Sequence, residues 1–206
     1  MVAQLYCFGE SGNAYKAALT MTLAGFEWSP VYVDFFNGET RTPEFRAINP
    51  MGECPVLVDQ GQTLTQSGMI QLHVAEATGK FTPTPEVMRW LFWDNHKGSS
   101  QFGALRFMMN FLPEDKRPQE AIGWLSGRVQ AALTTLNDHL AGRDWIAGDG
   151  PSLADFACCA YLYYPEPFGY SATTFPNIAA WLDQISAIPG WKHPYDMMPG
   201  SPADRA

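Results

Sequence analysis

The sequence predicts an α/β domain followed by an all-helical domain. Three observations carry this. The first 80 residues or so alternate short apolar runs with helical stretches in the order βαβ and then ββα. From residue 86 onward the pattern is helical nearly throughout. The composition changes at "TGKFTPTPE", whose prolines discourage regular structure. We therefore place one domain at 1–80, a linker at 81–85 and a second domain at 86–206.

In the first domain, residues 5–8 read as a strand and 13–24 as a helix stopped by Gly25. A second strand follows at 31–34. After the loop "FFNGETRT", Pro43 opens a short helical turn, where its missing N–H costs nothing. Residues 56–59 and 63–65, around "QGQ", form a hairpin, and Ser67 starts a helix to about residue 78.

In the second domain, Trp90, Trp93, Phe102 and Met109 fall at helical spacing, which predicts one long helix over 86–112. Pro118 begins a helix to residue 140, and Gly142 can end it. Ser152 stands three residues before Asp155, a variant capping box for the helix of "PSLADFACCAYLYY". A last helix spans 176–188, and the tail "HPYDMMPGSPADRA" reads as irregular. Trp90, Trp93 and the Cys158-Cys159 pair read as core.

Composition narrows the function. The chain has 206 residues, 46% of them hydrophobic, and can bury a real core. A net charge of -8 without a Lys/Arg cluster excludes a nucleic-acid partner. No apolar run is long enough for a membrane span, and "MVAQLYCF" lacks the features of a signal peptide, so we expect a cytoplasmic protein without a membrane partner. Cys7, Cys54, Cys158 and Cys159 form no CxxC pair and no metal-ligand spacing, so neither a disulfide framework nor a metal site is expected.

Three stretches could carry chemistry. In "LYCFGESGNAYKAAL", Ser11 and Asn13 are both capping residues at the mouth of one helix, and Gly12 between them admits a close approach of backbone to ligand. In "NPMGECPVLVD", Pro55 either makes a cis bond that turns the Cys54 backbone outward, ready for strand addition, or simply begins a strand. In "LTQSGMI", Gln66 and Ser67 stand where a strand meets a helix, whose N-terminus favours a carboxylate; Ser67 is equally explained as a cap.

Together with "RTPEFRAINPMGECPVLVD" and "GDGPSLADF", these stretches resemble the glutathione S-transferase superfamily over nearly the whole chain. "SGNAYKAAL" is similar to the Ser-Gly-Asn-x-Tyr-Lys wording of bacterial serine-type members. The resemblance implies a thioredoxin-like first domain (βαβ-ββα) that binds glutathione as co-substrate and a helical second domain that shapes the acceptor pocket. It makes Ser11 the residue that hydrogen-bonds the glutathione sulfur, with Asn13 left to cap the helix and Tyr6 as the rival. Cys54 and Pro55 would meet the peptide backbone, and Gln66 and Ser67 the γ-glutamyl end. Gly52 and Glu53 stand where many relatives have Lys, Gln or a nearby His; Glu53 would repel the glycine carboxylate, and Arg41 could compensate. Phe8, His96, Phe102 and Arg106 are the candidate walls for a small electrophile. The resemblance further implies a homodimer, joining the first domain of one subunit to the long helix of the other. Glutathione-dependent disulfide exchange and non-catalytic binding of glutathione or an apolar ligand are the alternative readings.

Overall fold

The computed structural model describes residues 2–200. Strands β1 (Ala3–Cys7), β2 (Trp28–Tyr32), β3 (Val56–Asp59) and β4 (Gln62–Thr65) form one sheet in the order β2-β1-β3-β4. β1 and β2 are parallel, and the other two pairs are antiparallel. Helix α1 (Gly12–Ala24) joins the parallel pair, which cannot be linked by a tight turn. α2 (Pro43–Ile48) precedes β3 and α3 (Ser67–Thr78) follows β4, giving the expected thioredoxin-like βαβ-ββα arrangement. β2 begins earlier than predicted and contains Pro30; a strand tolerates proline at a sheet edge, and β2 is one.

The register fixes where the loops emerge. Tyr6 lies beside Val56 and Val56 beside Thr65, so the segments after β1, before β3 and after β4 leave the sheet at one end. Parallel β2 ends there too, Tyr32 opposite Cys7. Leu5, Leu57, Ile70 and Val74 are fully buried, each contributing about 1.5–3 kcal/mol by leaving water. Ala14, Ala17 and Ala18 are also fully buried in α1, and their small side chains permit close packing. Gln71 Nε2 donates to Thr20 Oγ1 (3.0 Å), tying α3 to α1 inside this unit.

Residues 189–200 pack with this first unit, not with the helical one expected from the sequence; the end of the tail, 201–206, lies outside the described residues. It is not wholly irregular either. α9 (Pro194–Met197) begins with proline at its first position, and His193 Nδ1 accepts from the Tyr195 N–H at 3.3 Å.

The second unit, Pro83–Ile188, is helical. The long helix predicted over 86–112 is two, α4 (Pro85–Trp93) and α5 (Ser99–Asn110), separated by a π-helical turn over Asp94–Gly98. The buried Asp94 carboxylate accepts from Ser99 Oγ (2.8 Å) and sits where a Cβ on Gly98 would come within 2.7 Å of it. The side chain thus occupies the space inside the turn, and the helix widens there. α6 (Gln119–His139), α7 (Leu153–Cys158) and α8 (Pro176–Ser186) complete the unit. The Ser152–Asp155 capping box forms as predicted. Asp155 also accepts from the Ile146 N–H and Trp181 Nε1, both at 2.9 Å, so one buried carboxylate joins three segments. Among the described residues, no helix is long and apolar enough to cross a membrane.

Candidate active site

Ser11 ends a turn that leaves β1. Its N–H closes that turn on the Phe8 carbonyl (3.0 Å), and its Oγ accepts from the Ala14 N–H (3.1 Å). Ser11 is therefore the cap of α1, and Asn13 lies within the first helical turn, which corrects the expected division of labour. Capping does not exhaust the hydroxyl: it uses an oxygen lone pair and leaves the O–H proton to donate, polarised by the N–H it accepts. Ser11 is only 6% exposed, a setting in which such a bond is little screened. No acidic residue in the first turn of α1 offsets the positive end of the helix dipole.

The Cys54–Pro55 peptide bond is cis. Cys54 precedes β3 and lies outside the paired register of the sheet. Its side chain packs beside the buried cluster of Val33, Phe45 and Val56. Burial pushes its thiol up to about 12, with neighbouring Cys7 and Glu39 pushing the same way; burial likewise takes Cys7 to about 12. Tyr6 packs against the same cluster, its ring edge-on to Phe45 at 6.5 Å between centroids.

At the β4–α3 junction Gln66 has φ 67° and ψ 118°, a region that costs a non-glycine residue about 1–3 kcal/mol and is concentrated at functional sites. Gln66, not Ser67, is the N-cap residue, and its side chain does not cap the helix. The first-turn N–H groups of α3 are thus left without a side-chain cap, and the buried Ser67 stands beside them. Glu53 reaches this junction: its carboxylate accepts from Gln66 Nε2 at 3.1 Å. Asn49 organises the loop, donating to the Glu53 carbonyl (2.8 Å) and accepting from the Met51 N–H (3.1 Å). The Glu53 side chain is thereby held at the β4–α3 junction. Arg41 closes a short 3-10 turn and is exposed; Arg46 of α2, which the sequence reading passed over, leans over the loop toward the Pro50 carbonyl (3.4 Å).

The helical candidates fare differently. His96 is exposed in the π-helical turn. Phe102 is 1% exposed and packs on Phe168 at 5.5 Å, and Arg106 is 2% exposed. Arg106 forms an ion pair with Glu166 (2.7 Å) and lies 3.8 Å above the Tyr164 ring. Phe102 and Arg106 therefore clamp α5 to the segment around 164–168, inside their own unit, and are not open pocket walls.

Residues 1–76 match the glutathione S-transferase N-terminal domain and 102–189 the C-terminal domain of the same family. A solved glutathione S-transferase from Xanthobacter autotrophicus Py2 is 30% identical, with 98% of each chain covered and a TM-score of 0.85. The chain belongs to the glutathione S-transferase family. A structure described as a possible glutathione S-transferase from Rhodopseudomonas palustris is 29% identical, covering 100% of this chain and 96% of the other at a TM-score of 0.86. Among curated relatives, maleylacetoacetate isomerase of Pseudomonas aeruginosa is 27% identical over 97% of this chain and 99% of its own.

Two features of this glutathione S-transferase escaped the sequence reading. Phe8 stacks on Phe35 (4.7 Å) and meets Phe36 edge-on (6.1 Å), an aromatic group close to Ser11 along the chain. The adjacent "FF" after β2 was its only signal. The Gly9 N–H donates to the Pro199 carbonyl (2.6 Å), a partner so distant in sequence that no local pattern could announce it.

Proposed function

We propose that this glutathione S-transferase binds glutathione across the end of the sheet where Ser11, Cys54, Gln66 and Ser67 emerge, and transfers its sulfur to a small electrophile in the cytoplasm. The carrying observation is the Ser11 hydroxyl, which caps α1 through its oxygen and keeps its proton for a thiolate. A hydrogen bond to a charged acceptor contributes about 1.5–3 kcal/mol, which would lower a thiol of pKa about 8.5 by roughly one to two units. The α1 dipole acts in the same direction. The thiol proton passes to solvent, the sulfur lone pair attacks the electrophilic carbon, and a leaving group departs or the carbon chain takes up a proton. Proximity supplies the remaining acceleration.

The glutathione backbone would add as a strand beside Cys54, with its γ-glutamyl carboxylate at Ser67 and the N-terminus of α3. Disulfide exchange through a protein thiol is disfavoured, because no cysteine stands at the mouth of α1, Cys7 is buried, and desolvation raises both the Cys7 thiol and that of the half-buried Cys54 to about 12, which keeps them protonated. The isomerase relative favours a second reading, isomerisation by reversible addition of the same thiolate. Exposed Met51 and Met69 on the first unit and Phe92 on the second support a homodimer in which these surfaces are buried.

Calorimetry with glutathione, followed by turnover with carbon electrophiles, maleylacetoacetate and disulfides, tests the reading. Thioether formation is the expected result. Turnover of disulfides alone, or no glutathione binding, would overturn it.

A further inference from the structure

We infer that the C-terminal segment 192–200 is a positioning strap for Ser11, a role that rests on the proposed use of Ser11 against the glutathione sulfur. The turn that delivers Ser11 runs from Phe8 to Ser11 and is closed by the Ser11 N–H on the Phe8 carbonyl. Its second residue, Gly9, points its N–H out of that turn. A turn amide at this place has no partner within the turn and is left for water, ligand or another segment. Here the Pro199 carbonyl takes it at 2.6 Å.

Three further contacts hold the strap down. The fully buried Tyr15, one helical turn after Ser11, donates its hydroxyl proton to the Lys192 carbonyl (2.8 Å). Met198 is buried beside α9, and α9 itself packs on α1. Gly200, at φ 79°, lies so close to the Tyr32 ring that an added Cβ would come within 2.3 Å of it. The strap therefore grips α1 at Tyr15, β2 at Tyr32 and the serine turn at Gly9. A hydrogen bond to a thiolate weakens steeply with misalignment, so a turn free to rock would lose part of what Ser11 contributes.

The titratable groups on the segments that meet at the turn are Tyr6, Cys7 and Glu10 on its own strand and loop, Tyr15 and Lys16 on α1, Tyr32, Asp34 and Glu39 at and after the end of β2, Cys54 beside Cys7, and Lys192, His193, Tyr195 and Asp196 on the strap. The test changes none of them. Gly200→Val in the full chain puts a β-branched residue at positive φ and against the Tyr32 ring, which should lift the strap end. The thiolate absorbance of bound glutathione should then titrate about one unit higher than in the wild type, a tenfold weaker bias toward the thiolate. kcat should fall roughly fivefold to tenfold at pH 6.5 and less than about twofold at pH 9. Affinity for S-methylglutathione, which has no thiol to ionise, should hold within about twofold. Loss of Gly9 amide protection in hydrogen exchange verifies that the strap has lifted; an unchanged thiol pKa with that protection gone overturns the inference. A chain ending at Met198 is read the same way if Gly200→Val does not fold. Rapid exchange of the Gly9 amide in the intact protein overturns it without any variant. If wild-type protein binds glutathione without lowering its thiol pKa, the reading of Ser11 itself fails, and the strap's role with it.

Discussion

Gln66 Nε2 donates a 3.1 Å hydrogen bond to the Glu53 carboxylate, placing a negative charge beside the N-terminus of α3. The two are opposite in character: the helix end favours a carboxylate, and Glu53 favours a cation. An α-amino acid zwitterion, such as the γ-glutamyl end of glutathione, carries both. Glu53→Gln keeps the shape and removes the charge, so it should weaken glutathione binding roughly threefold to thirtyfold, the range of a lost surface-to-partly-buried ion contact. N-acetylated glutathione, which has no ammonium, should bind both proteins alike. Tighter binding of glutathione by Glu53→Gln in calorimetry would place Glu53 at the glycine carboxylate after all.

The thiols of Cys7 and Cys54 make a prediction about pH. Burial raises each to about 12, against about 8.5 for an ordinary cysteine. The folded state then keeps protons that the unfolded state releases, so this contribution to stability is intact below about pH 8.5 and is lost as pH rises toward about 12. Urea midpoints should fall between pH 8 and pH 11, and less so in a Cys7→Val/Cys54→Val variant. Native protein should also resist alkylation at the buried Cys7 at pH 8; rapid labelling of Cys7 would contradict its burial.

Much of the fold was legible because its signals are local. Gly25, Pro43, Pro176 and the Ser152–Asp155 pair mark helix ends by chemistry within four residues, and each marks one in the structure. The break in the predicted long helix was hidden because apolar spacing continues on both sides of it; only the Asp94 carboxylate beside Gly98 reveals the wider turn. Around the site, the residue types were readable, but their division of labour was not. Ser11 and Asn13 are both good caps by composition, and only backbone geometry assigns the task to Ser11. Arg106 looked like a pocket wall because Glu166, its partner, lies 60 residues away.

Asp155 accepts from the N–H groups of Ile146 and Ser152, Ser152 Oγ and Trp181 Nε1 within the helical unit. Asp155→Ala strands at least three buried donors at about 1–3 kcal/mol each, so the unfolding free energy should drop by about 3 kcal/mol or more. Denaturant titration measures this directly. A loss below about 1 kcal/mol would mean that water replaces the carboxylate.

Phe92 is 69% exposed on α4. Burial of this ring in a homodimer predicts that Phe92→Glu shifts the protein toward monomer in light scattering without changing its far-ultraviolet circular dichroism. A mass identical to that of the wild type would exclude α4 from any interface.

Ser11, rather than Tyr6, is the residue we propose to stabilise the glutathione thiolate. The Ser11 hydroxyl caps α1 and retains a donor, whereas the Tyr6 ring packs on the Phe45 cluster. The direct measurement is the pKa of bound glutathione, read from thiolate absorbance against pH in the wild type, Ser11→Ala and Tyr6→Phe. Ser11→Ala should raise that pKa by roughly one to two units, the equivalent of a hydrogen bond to a charged acceptor, and Tyr6→Phe should leave it nearly where it was. A shift confined to Tyr6→Phe would move the role from Ser11 to Tyr6.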